Sequence, residues 1–411
     1  MARAENVVPS SLDRGLSRRW LMAIVTAAIL SLGGKVAIAA WTFGSTDALL
    51  WEASLRQLRE AGPVALYEDG TVLRTDEGTA YHTEVFNHPP LMVRLLSLGG
   101  WIAGQTRIPL HVWLRVVCAI ADFAGILLIL GIIRQARLPI SPAAMFLVAA
   151  SPISLLISGF HGNTDPIMMF LLLLAVYLLS RDAPLRAGAA LGLAVGIKIV
   201  PLLFAPALAF SLPARKRGVF LAGAIGVFLA GLFPLAFDHP HLIWSHVFGY
   251  SPQTGIWGIS RLVAAFGTET LVREYARLAK GVLLVLLGAA SIGLNLYRPG
   301  ATPVVLQCGL LAFILLSLTP GFGVQYLAWL IPWVFLLTWR QAVAFHSVGG
   351  LFLAWYYTRG ANGFPWYLAN SATTQVWNGS LVFVGLLCWL VVVSLTFSIY
   401  RRTISWGRGI A

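Results

Sequence analysis

Polar side chains at two breaks in the apolar sequence are suited to binding a phosphate and a sugar. Lys198 stands in the apolar stretch GIKIVP, and a cation at a break in a membrane helix favours a phosphate at headgroup level. The alternative is a lysine that pairs with a carboxylate. His161, Asn163 and Asp165 share the short segment FHGNTDP, which can hold a sugar or an acceptor hydroxyl. The alternative there is turn chemistry, with Asp165 as the cap of the next helix.

Other ionisable residues fall within apolar runs, where a charge costs about 2.5–3.5 kcal/mol on insertion scales. Asp122 is predicted to be a buried carboxylate that hydrogen-bonds to a neighbouring helix, with a catalytic role as the alternative. Lys35 lies near the outer end of the first apolar run, where its long side chain can extend to the membrane surface.

The sequence lacks the patterns of soluble cofactor sites. It has no Walker loop, no dinucleotide-binding glycine fingerprint, no Gly-x-Ser-x-Gly segment and no zinc-ligand spacing. His239, His241 and His246 are close in sequence but do not have the i, i+4 spacing of a zincin helix. We therefore expect neither a cofactor nor a metal.

The elements that must position these groups are membrane helices. The chain of 411 residues is 58% hydrophobic and 11% charged, with a mean hydropathy of +0.79, whereas soluble proteins have about 25% charged residues. Apolar runs of about twenty residues, each long enough to cross a hydrocarbon core, recur throughout. This excludes a soluble enzyme, a disordered protein and a single-span receptor. It predicts one all-α polytopic membrane domain over residues 1–411, in which the cysteines form no disulfide framework because they fall within apolar runs.

Twelve spans are expected, with the basic residues between them on the cytoplasmic side. The predicted spans are 20–42, 109–133, 140–159, 166–180, 186–200, 201–213, 218–237, 276–297, 302–319, 324–339, 341–358 and 378–400. With residues 1–19 in the cytoplasm, every short inner loop carries Arg or Lys, as the positive-inside rule requires. These residues are Arg14, Arg18, Arg19, Arg134, Arg137, Arg181, Arg186, Arg215, Lys216, Arg217, Arg298, Arg340, Arg401, Arg402 and Arg408. They account for the net charge of +13 without any nucleic-acid partner. The runs within 186–213 are short and broken by proline, so a hairpin that does not fully cross is the alternative.

Two large loops are predicted on the outer side, at 43–108 and 238–275. The first contains half of the sixteen acids of the chain, namely Asp47, Glu52, Glu60, Glu68, Asp69, Asp76, Glu77 and Glu84. Within it, Asp47–Ala61 has helical spacing, and Pro89–Gln105 is predicted to be an interfacial helix with proline in its first turn. Because nucleotide donors are cytoplasmic and nearly all candidate groups face outward, an enzyme of this layout would take its activated substrate from a lipid.

Four short segments resemble those of GT-C superfamily integral-membrane glycosyltransferases, which use polyprenyl-phosphate-linked sugars. They keep the order of that family and share the outer side. The segments are Ser45-Thr46-Asp47-Ala48 after the first span, Asn87-His88-Pro89-Pro90-Leu91, His161-Gly162-Asn163, and Gln325-Tyr326-Leu327-Ala328-Trp329 with Pro332. The last is similar to a Gln-Tyr-x-x-Trp segment of polyprenol-phosphate mannosyltransferases.

The resemblance implies an inverting displacement of the lipid phosphate by an acceptor hydroxyl, with mannose favoured as the sugar. Asp47 is then the general base, with capping of the following helix as its structural alternative. The implied phosphate and pocket residues are Lys198, Arg261, Arg359, His88, His161, Asp165, Gln325 and Tyr326. No Asp-x-Asp pair stands at the first-loop site, because Asp47 is followed by Ala48 and Leu49, and this argues against a metal-dependent reaction.

The expected partners are a polyprenyl-phosphate sugar donor, a lipid or cell-envelope glycan acceptor and membrane lipids. We expect an inner-membrane protein of a bacterium, with the active site facing the periplasm or exterior. The alternatives are a secondary transporter or lipid flippase, an enzyme of similar layout that moves another group, and a non-catalytic scaffold. A transporter is disfavoured because no internal repeat is evident and the acids crowd into one outer loop.

Overall fold

Helices dominate the computed structural model of the chain. It describes residues 16–74, 80–82, 86–136, 138–297, 303–371, 374 and 376–406. Seven of the charged residues cited above lie outside these ranges, namely Arg14, Asp76, Glu77, Glu84, Arg137, Arg298 and Arg408.

The α-helices follow one another with few other elements between them. They are α1 Arg18–Trp41, α2 Thr46–Glu68, α3 Pro90–Thr106, α4 Leu110–Ala136, α5 Pro142–Ala149, α6 Pro152–Leu156, α7 Asp165–Ser180, α8 Pro184–Ile197, α9 Ala205–Phe210, α10 Ala214–Leu232, α11 Leu235–Asp238, α12 Pro240–Ile243, α13 Gly258–Phe266, α14 Glu269–Tyr297, α15 Val304–Leu318, α16 Trp339–Gly360 and α17 Gly379–Trp406. Single π-turns cover Ile157–His161 and Trp244–Phe248, and 3₁₀ segments cover Val200–Phe204, Val324–Trp329 and Ile331–Leu336. The strands are β1 Gly44–Ser45, β2 Val72–Arg74, β3 Ala80–His82 and β4 Leu368–Ala369.

Local sequence explains where many helices begin. Ser45 caps α2 by accepting a hydrogen bond from the backbone amide of Asp47, and Ser141 and Ser151 cap α5 and α6 in the same way. Thr338 and Gln341 form a capping box at the start of α16. Proline occupies the first turn of α3, α5, α6, α7, α8 and α12, where its missing amide proton costs nothing.

The helices have the lengths and composition of an all-α polytopic membrane protein. Five helical stretches of the described residues are long and apolar enough to cross a membrane, and five shorter apolar stretches accompany them. Each predicted span coincides with a helical or 3₁₀ segment whose limits differ by a few residues, except that α14 begins at Glu269 rather than at residue 276. The all-α membrane fold is therefore confirmed.

The two helices predicted in the first large loop are both present. α2 extends through residue 61 and then kinks at Gly62, whose φ of +83° precedes Pro63. α3 begins at Pro90 and packs through Leu91 against Gly196 of α8 and Gly231 of α10. The first loop is thus attached directly to the helical bundle.

Lys35 does not extend to the membrane surface as its position suggested. Its side chain is only 2% exposed, and its Nζ donates a hydrogen bond to Asp122 Oδ2 at 2.9 Å. Ser154 and Ser158 donate to the same oxygen. The interpretation of Asp122 as a carboxylate bonded to neighbouring helices is correct, and its main partner is the lysine of α1, because two charges buried together are far cheaper than either alone.

Basic loops meet at one end of the bundle. The Arg402 guanidinium donates to the backbone oxygens of Leu336 and Pro139, which joins three chain segments at that end. Lys216 donates to both carboxylate oxygens of Asp182, each at 2.6 Å, which joins the first turn of α10 to the turn after α7. We call this the basic end of the bundle.

At the opposite end, the segment after α1 is pressed against the π-turn that precedes α7. β1 pairs in parallel with β4, in the register Gly44 to Leu368 and Ser45 to Ala369. Gly44 has φ of +111°, and a Cβ there would lie 2.6 Å from the backbone oxygen of Phe160, so only glycine fits. Asp47 is thereby brought to the turn that contains His161.

Candidate active site

Asp47 is held by the turn between the π-turn and α7. Its Oδ2 accepts a hydrogen bond from the amide nitrogen of Asn163 and lies 3.2 Å from His161 Nε2. Asp47 does not cap α2, because Ser45 occupies the cap and Asp47 lies within the first turn. The capping alternative for Asp47 is therefore wrong, and its carboxylate is available to the site.

His161 is buried, and its ring nitrogens lack well-aligned hydrogen-bond partners among the described residues. It is 3% exposed, and its Nε2 is close to Asp47. The turn itself is fixed by other groups: the Ser45 hydroxyl donates to the His161 backbone oxygen at 2.6 Å, and Trp51 Nε1 donates to the Gly162 oxygen at 2.9 Å. A buried polar ring with unused donor and acceptor capacity indicates a place for a ligand.

Asn163 connects a cation to this carboxylate. Its Oδ1 accepts a hydrogen bond from Lys198 Nζ at 2.7 Å, while its amide nitrogen donates to Asp47. Lys198 follows the last residue of α8 in extended conformation, with φ −146° and ψ 146°, so the break in the helix directs its side chain into the cluster. The position of Lys198 at a helix break is as the sequence indicated.

Lys198 also forms an ion pair with Asp165, as the structural alternative for that lysine anticipated. Its Nζ lies 2.7 Å from Asp165 Oδ2, and Trp329 Nε1 donates to the other carboxylate oxygen at 2.5 Å. Asp165 is not a helix cap, because Thr164 holds that position and the Asp165 carboxylate is used by these two partners. An ammonium group has three donors, and the hydrogen bonds to Asn163 and Asp165 use two of them.

A single cavity joins three of the four segments that the resemblance singled out. Asp47, His161 and Gln325 all line it. The remaining lining residues are Ser45, Thr46, Gln253, Ile256, Phe322, Gly323, Val324, Tyr356, Ser371 and Trp377. Amide, hydroxyl and aromatic groups of this kind are suited to sugar hydroxyls and to the apolar face of a sugar ring.

His88 lies beside the cluster as a neutral ring. Its Nδ1 is 3.2 Å from the backbone oxygen of Ile197, which accepts the hydrogen bond, and its ring centroid is 5.0 Å from that of Trp51. Burial, and then the positive charge of Lys198, lowers the pKa of His88 to about 3. Its Nε2 is therefore unprotonated at neutral pH.

The Asp47 carboxylate is stabilised in its charged form. Burial alone would raise the pKa of Asp47, but the neighbouring His161, the hydrogen bond from Asn163 and the charge of Lys198 outweigh it and lower the pKa to about 2. Asp47 is thus fully ionised at neutral pH.

The remaining predicted residues lie at different distances from this cluster. Tyr326 is buried and stacks on Trp329, with ring centroids 3.9 Å apart, so it contacts the residue that binds Asp165. Arg261 in α13 is half-buried and Arg359 in α16 is exposed, and neither lines the cavity formed by the described residues.

Two groups of residues at this site were not among the predicted site residues. Asn163 was part of a quoted motif, and its position two residues after His161 was the available signal. Gln253, Tyr356 and Trp377 come from distant parts of the chain, and no local pattern marks them. In the described residues, no three His, Cys, Asp or Glu side chains converge as metal ligands.

Comparison with known proteins assigns the chain to a family. The model of glycosyltransferase family 87 matches residues 86–354. The chain belongs to glycosyltransferase family 87. It is therefore a glycosyltransferase, and the transporter, flippase and scaffold alternatives are set aside. His161, Asn163, Lys198 and Gln325 lie within the matched region, whereas Asp47 precedes it.

The chain is also similar in sequence to a curated protein that is named as a mannosyltransferase. Over 302 residues the chain is 26% identical to the polyprenol-phosphate-mannose-dependent alpha-(1-2)-phosphatidylinositol mannoside mannosyltransferase of Mycobacterium tuberculosis (strain ATCC 25618 / H37Rv). The alignment covers 67% of this chain and 70% of that protein. The similarity thus extends over most of both proteins.

Proposed function

We propose that this chain is an inverting mannosyltransferase that moves mannose from a polyprenyl-phosphate donor to a lipid-linked or cell-envelope glycan acceptor. The name of the mycobacterial relative supports the donor and the sugar. The observation that carries the proposal is the single cavity lined by Asp47, His161 and Gln325, with the Lys198 ammonium one amide group away from Asp47.

In the proposed reaction, Asp47 accepts the proton of the acceptor hydroxyl. The acceptor oxygen forms a bond to the anomeric carbon of the sugar while the bond from that carbon to the phosphate oxygen breaks. The leaving phosphate takes the bonding electrons, so it needs a cation rather than a proton. The third donor of Lys198 supplies that contact, and Arg261 or Arg359 serves as a second cation.

Donor binding makes Asp47 a better base. A phosphate at Lys198 neutralises a charge that now lowers the pKa of Asp47 and adds an anion nearby. Both effects raise the pKa of Asp47 towards the range in which general bases are efficient. Proton acceptance is thereby favoured when the donor is present.

His161 and Gln325 line the proposed sugar and acceptor pocket. His88 and Tyr326 lie outside the lining of this cavity and are proposed to complete the pocket when substrate binds, with Asp165 orienting Lys198. The unbonded ring nitrogens of His161 can meet hydroxyl groups of either substrate. The neutral Nε2 of His88 can accept a hydrogen bond.

The proposed location is the inner membrane of a bacterium, with twelve spans and the cavity on the periplasmic side. The basic end carries the Arg and Lys loops, and the cavity lies at the other end, so the positive-inside rule supports an outward-facing site. The helices α2 and α3, near this end, are proposed to lie at the membrane interface.

The test is sugar transfer by purified protein in proteoliposomes from radiolabelled polyprenyl-phosphate mannose, glucose and arabinose. We expect mannose transfer with the anomeric configuration opposite to that of the donor, as determined by NMR of the product. Asp47→Asn should reduce kcat by about 10²-fold or more. Glu60→Gln is the matched control, because Glu60 is an exposed acid of the same helix outside the cavity. Retention of configuration, or an Asp47→Asn variant as active as Glu60→Gln, would contradict the mechanism.

A further inference from the structure

Arg115 of α4 is a completely buried cation that hydrogen-bonds to uncharged oxygens. Its exposed fraction is 0%, and no carboxylate of the described residues pairs with it. Its five hydrogen bonds go to backbone oxygens and one hydroxyl. The acceptors are His111 O at 2.9 Å, Ala39 O at 2.9 Å, Thr42 O at 2.6 Å, Thr42 Oγ1 at 2.8 Å and Gly159 O at 3.4 Å.

Four of these five acceptors belong to the two segments that form the active site, and the fifth, His111 O, lies in α4 itself. Ala39 and Thr42 are at the end of α1, where backbone oxygens have no partner within the helix and the helix dipole is negative. Gly159 belongs to the π-turn that ends at His161. Thr42 precedes Asp47 by five residues, and Gly159 precedes His161 by two. The Arg115 guanidinium therefore hydrogen-bonds to the backbone of one segment shortly before Asp47 and to the backbone of the other shortly before His161.

Close packing leaves this connection little freedom. A Cβ on Gly44 would lie 3.3 Å from the Nη1 atom of Arg115, and a Cβ on Gly162 would lie 3.6 Å from its Cδ. The planar guanidinium directs its five donors in fixed directions, which an ammonium group cannot do. The segment 42–47 and the turn 159–163 are thus held at a fixed separation from one side chain.

We propose that Arg115 is a positioning residue that sets the separation between the Asp47 carboxylate and the His161 ring for glycosyl transfer. The proposal rests on the proposed function, in which Asp47 is the base. Arg115 itself does not touch the cavity, so it acts through the backbones of α1 and the π-turn. Displacements of about 1 Å at a reacting group can reduce a rate by about 10²-fold.

The first test compares Arg115→Lys with Arg402→Lys in proteoliposomes. Arg402 also donates to backbone oxygens between helices, but it lies at the basic end, about 35 Å along α17 from Gly379. We expect Arg115→Lys to lower kcat by about 10- to 100-fold with the donor KM changed by less than about threefold. Arg402→Lys should keep kcat while losing a similar amount of thermal stability.

The pH profile separates positioning from a loss of folded protein. If Asp47 moves away from His161, burial is less strongly opposed and the pKa of Asp47 rises, so kcat/KM of Arg115→Lys should begin to fall at a higher pH than that of the wild type. Thr42→Val, which removes one acceptor of Arg115 with little change of shape, should produce a smaller decrease in kcat in the same direction and serves if Arg115→Lys does not fold.

An Arg115→Lys or folded Thr42→Val variant with the kcat and pH profile of the wild type would overturn the positioning role. That result together with an inactive Asp47→Asn variant would overturn this inference alone. An active Asp47→Asn variant would instead contradict the proposed function, whatever Arg115 does.

Discussion

Lys198 Nζ lies 2.7 Å from Asn163 Oδ1, and this contact determines which way the Asn163 amide faces. Because an ammonium group can only donate, the oxygen of Asn163 must point to Lys198 and the nitrogen to Asp47. Lys198 thus orients the Asn163 amide so that its nitrogen donates a hydrogen bond to the Asp47 carboxylate. A phosphate that draws Lys198 away would also release the amide of Asn163.

Replacing Asn163 by Leu should impair the reaction more than it impairs folding. The substitution removes the donor to Asp47 and the acceptor of Lys198, so we expect kcat to fall by about 10²-fold. Asn295→Leu is the control, because Asn295 forms a buried amide pair with Gln307 in α14 and α15, away from the cavity. Equal specific activities of the two folded variants in the mannose-transfer assay would count against a role for Asn163.

Lys198→Met should weaken donor binding and also destabilise the protein. Asp165, which is 0% exposed, would lose its cation, and such a loss typically costs about 3–5 kcal/mol. The double variant Lys198→Met/Asp165→Asn should recover most of the thermal stability but keep the raised donor KM. A double variant with wild-type KM and kcat would remove Lys198 from the phosphate site.

His161→Phe should move the acidic limb of the pH–rate profile to higher pH. The pKa of Asp47 is lowered from 3.8 to about 2 partly by His161, so without that residue burial is less strongly opposed and the pKa of Asp47 rises. In the wild type, the stabilisation due to ionised Asp47 is complete above 3.8 and is lost as the pH falls through about 2. His346→Phe, a buried histidine about 15 Å from Tyr356 along α16, is the control. Coincident acidic limbs for the two variants would argue against the effect of His161 on Asp47.

Cysteine labelling tests the side on which the cavity opens. The native cysteines are all buried, so they should react little with maleimide, and labelling can be assigned to a single cysteine introduced at an exposed position. Phe364→Cys lies just beyond α16 at the cavity end and is 78% exposed in the wild-type side chain, whereas Arg401→Cys lies at the basic end. In intact spheroplasts, an impermeant maleimide should label Phe364→Cys and should reach Arg401→Cys only after permeabilisation. The reverse pattern would place the cavity in the cytoplasm.

The sequence predicts the helices well because the thickness of the bilayer sets the length of each apolar run and basic residues mark the loops between the runs. The two loop helices were also predictable, since Pro90 and the spacing after Asp47 are local signals. The pairing of Lys35 with Asp122 was missed, because the partner of a buried charge is set by packing between helices rather than by sequence position. The alternative of Asp165 as a helix cap was wrong for the same reason, because its partner Trp329 is far away in the chain.

The candidate site was predictable in its parts but not in its assembly. Asp47, His161, Lys198 and Gln325 stand out by residue type and by resemblance to a family. The residues that complete the cavity, such as Trp377, have no such mark, because they reach it only through the packing of α16 and α17. Arg115 was overlooked because it lies within an apolar run and serves backbone oxygens rather than a substrate.

The pairing of β1 with β4 has a consequence for how the enzyme matures. Gly44 meets Leu368, and the hydroxyl of Thr46 accepts from the Ser371 backbone amide at 2.9 Å, so an early and a late part of the chain seal the same chamber. A ribosome must therefore translate nearly the whole polypeptide before the chamber can close. A nascent chain that ends before β4 would lack Ser371 and Trp377, which form part of the cavity wall.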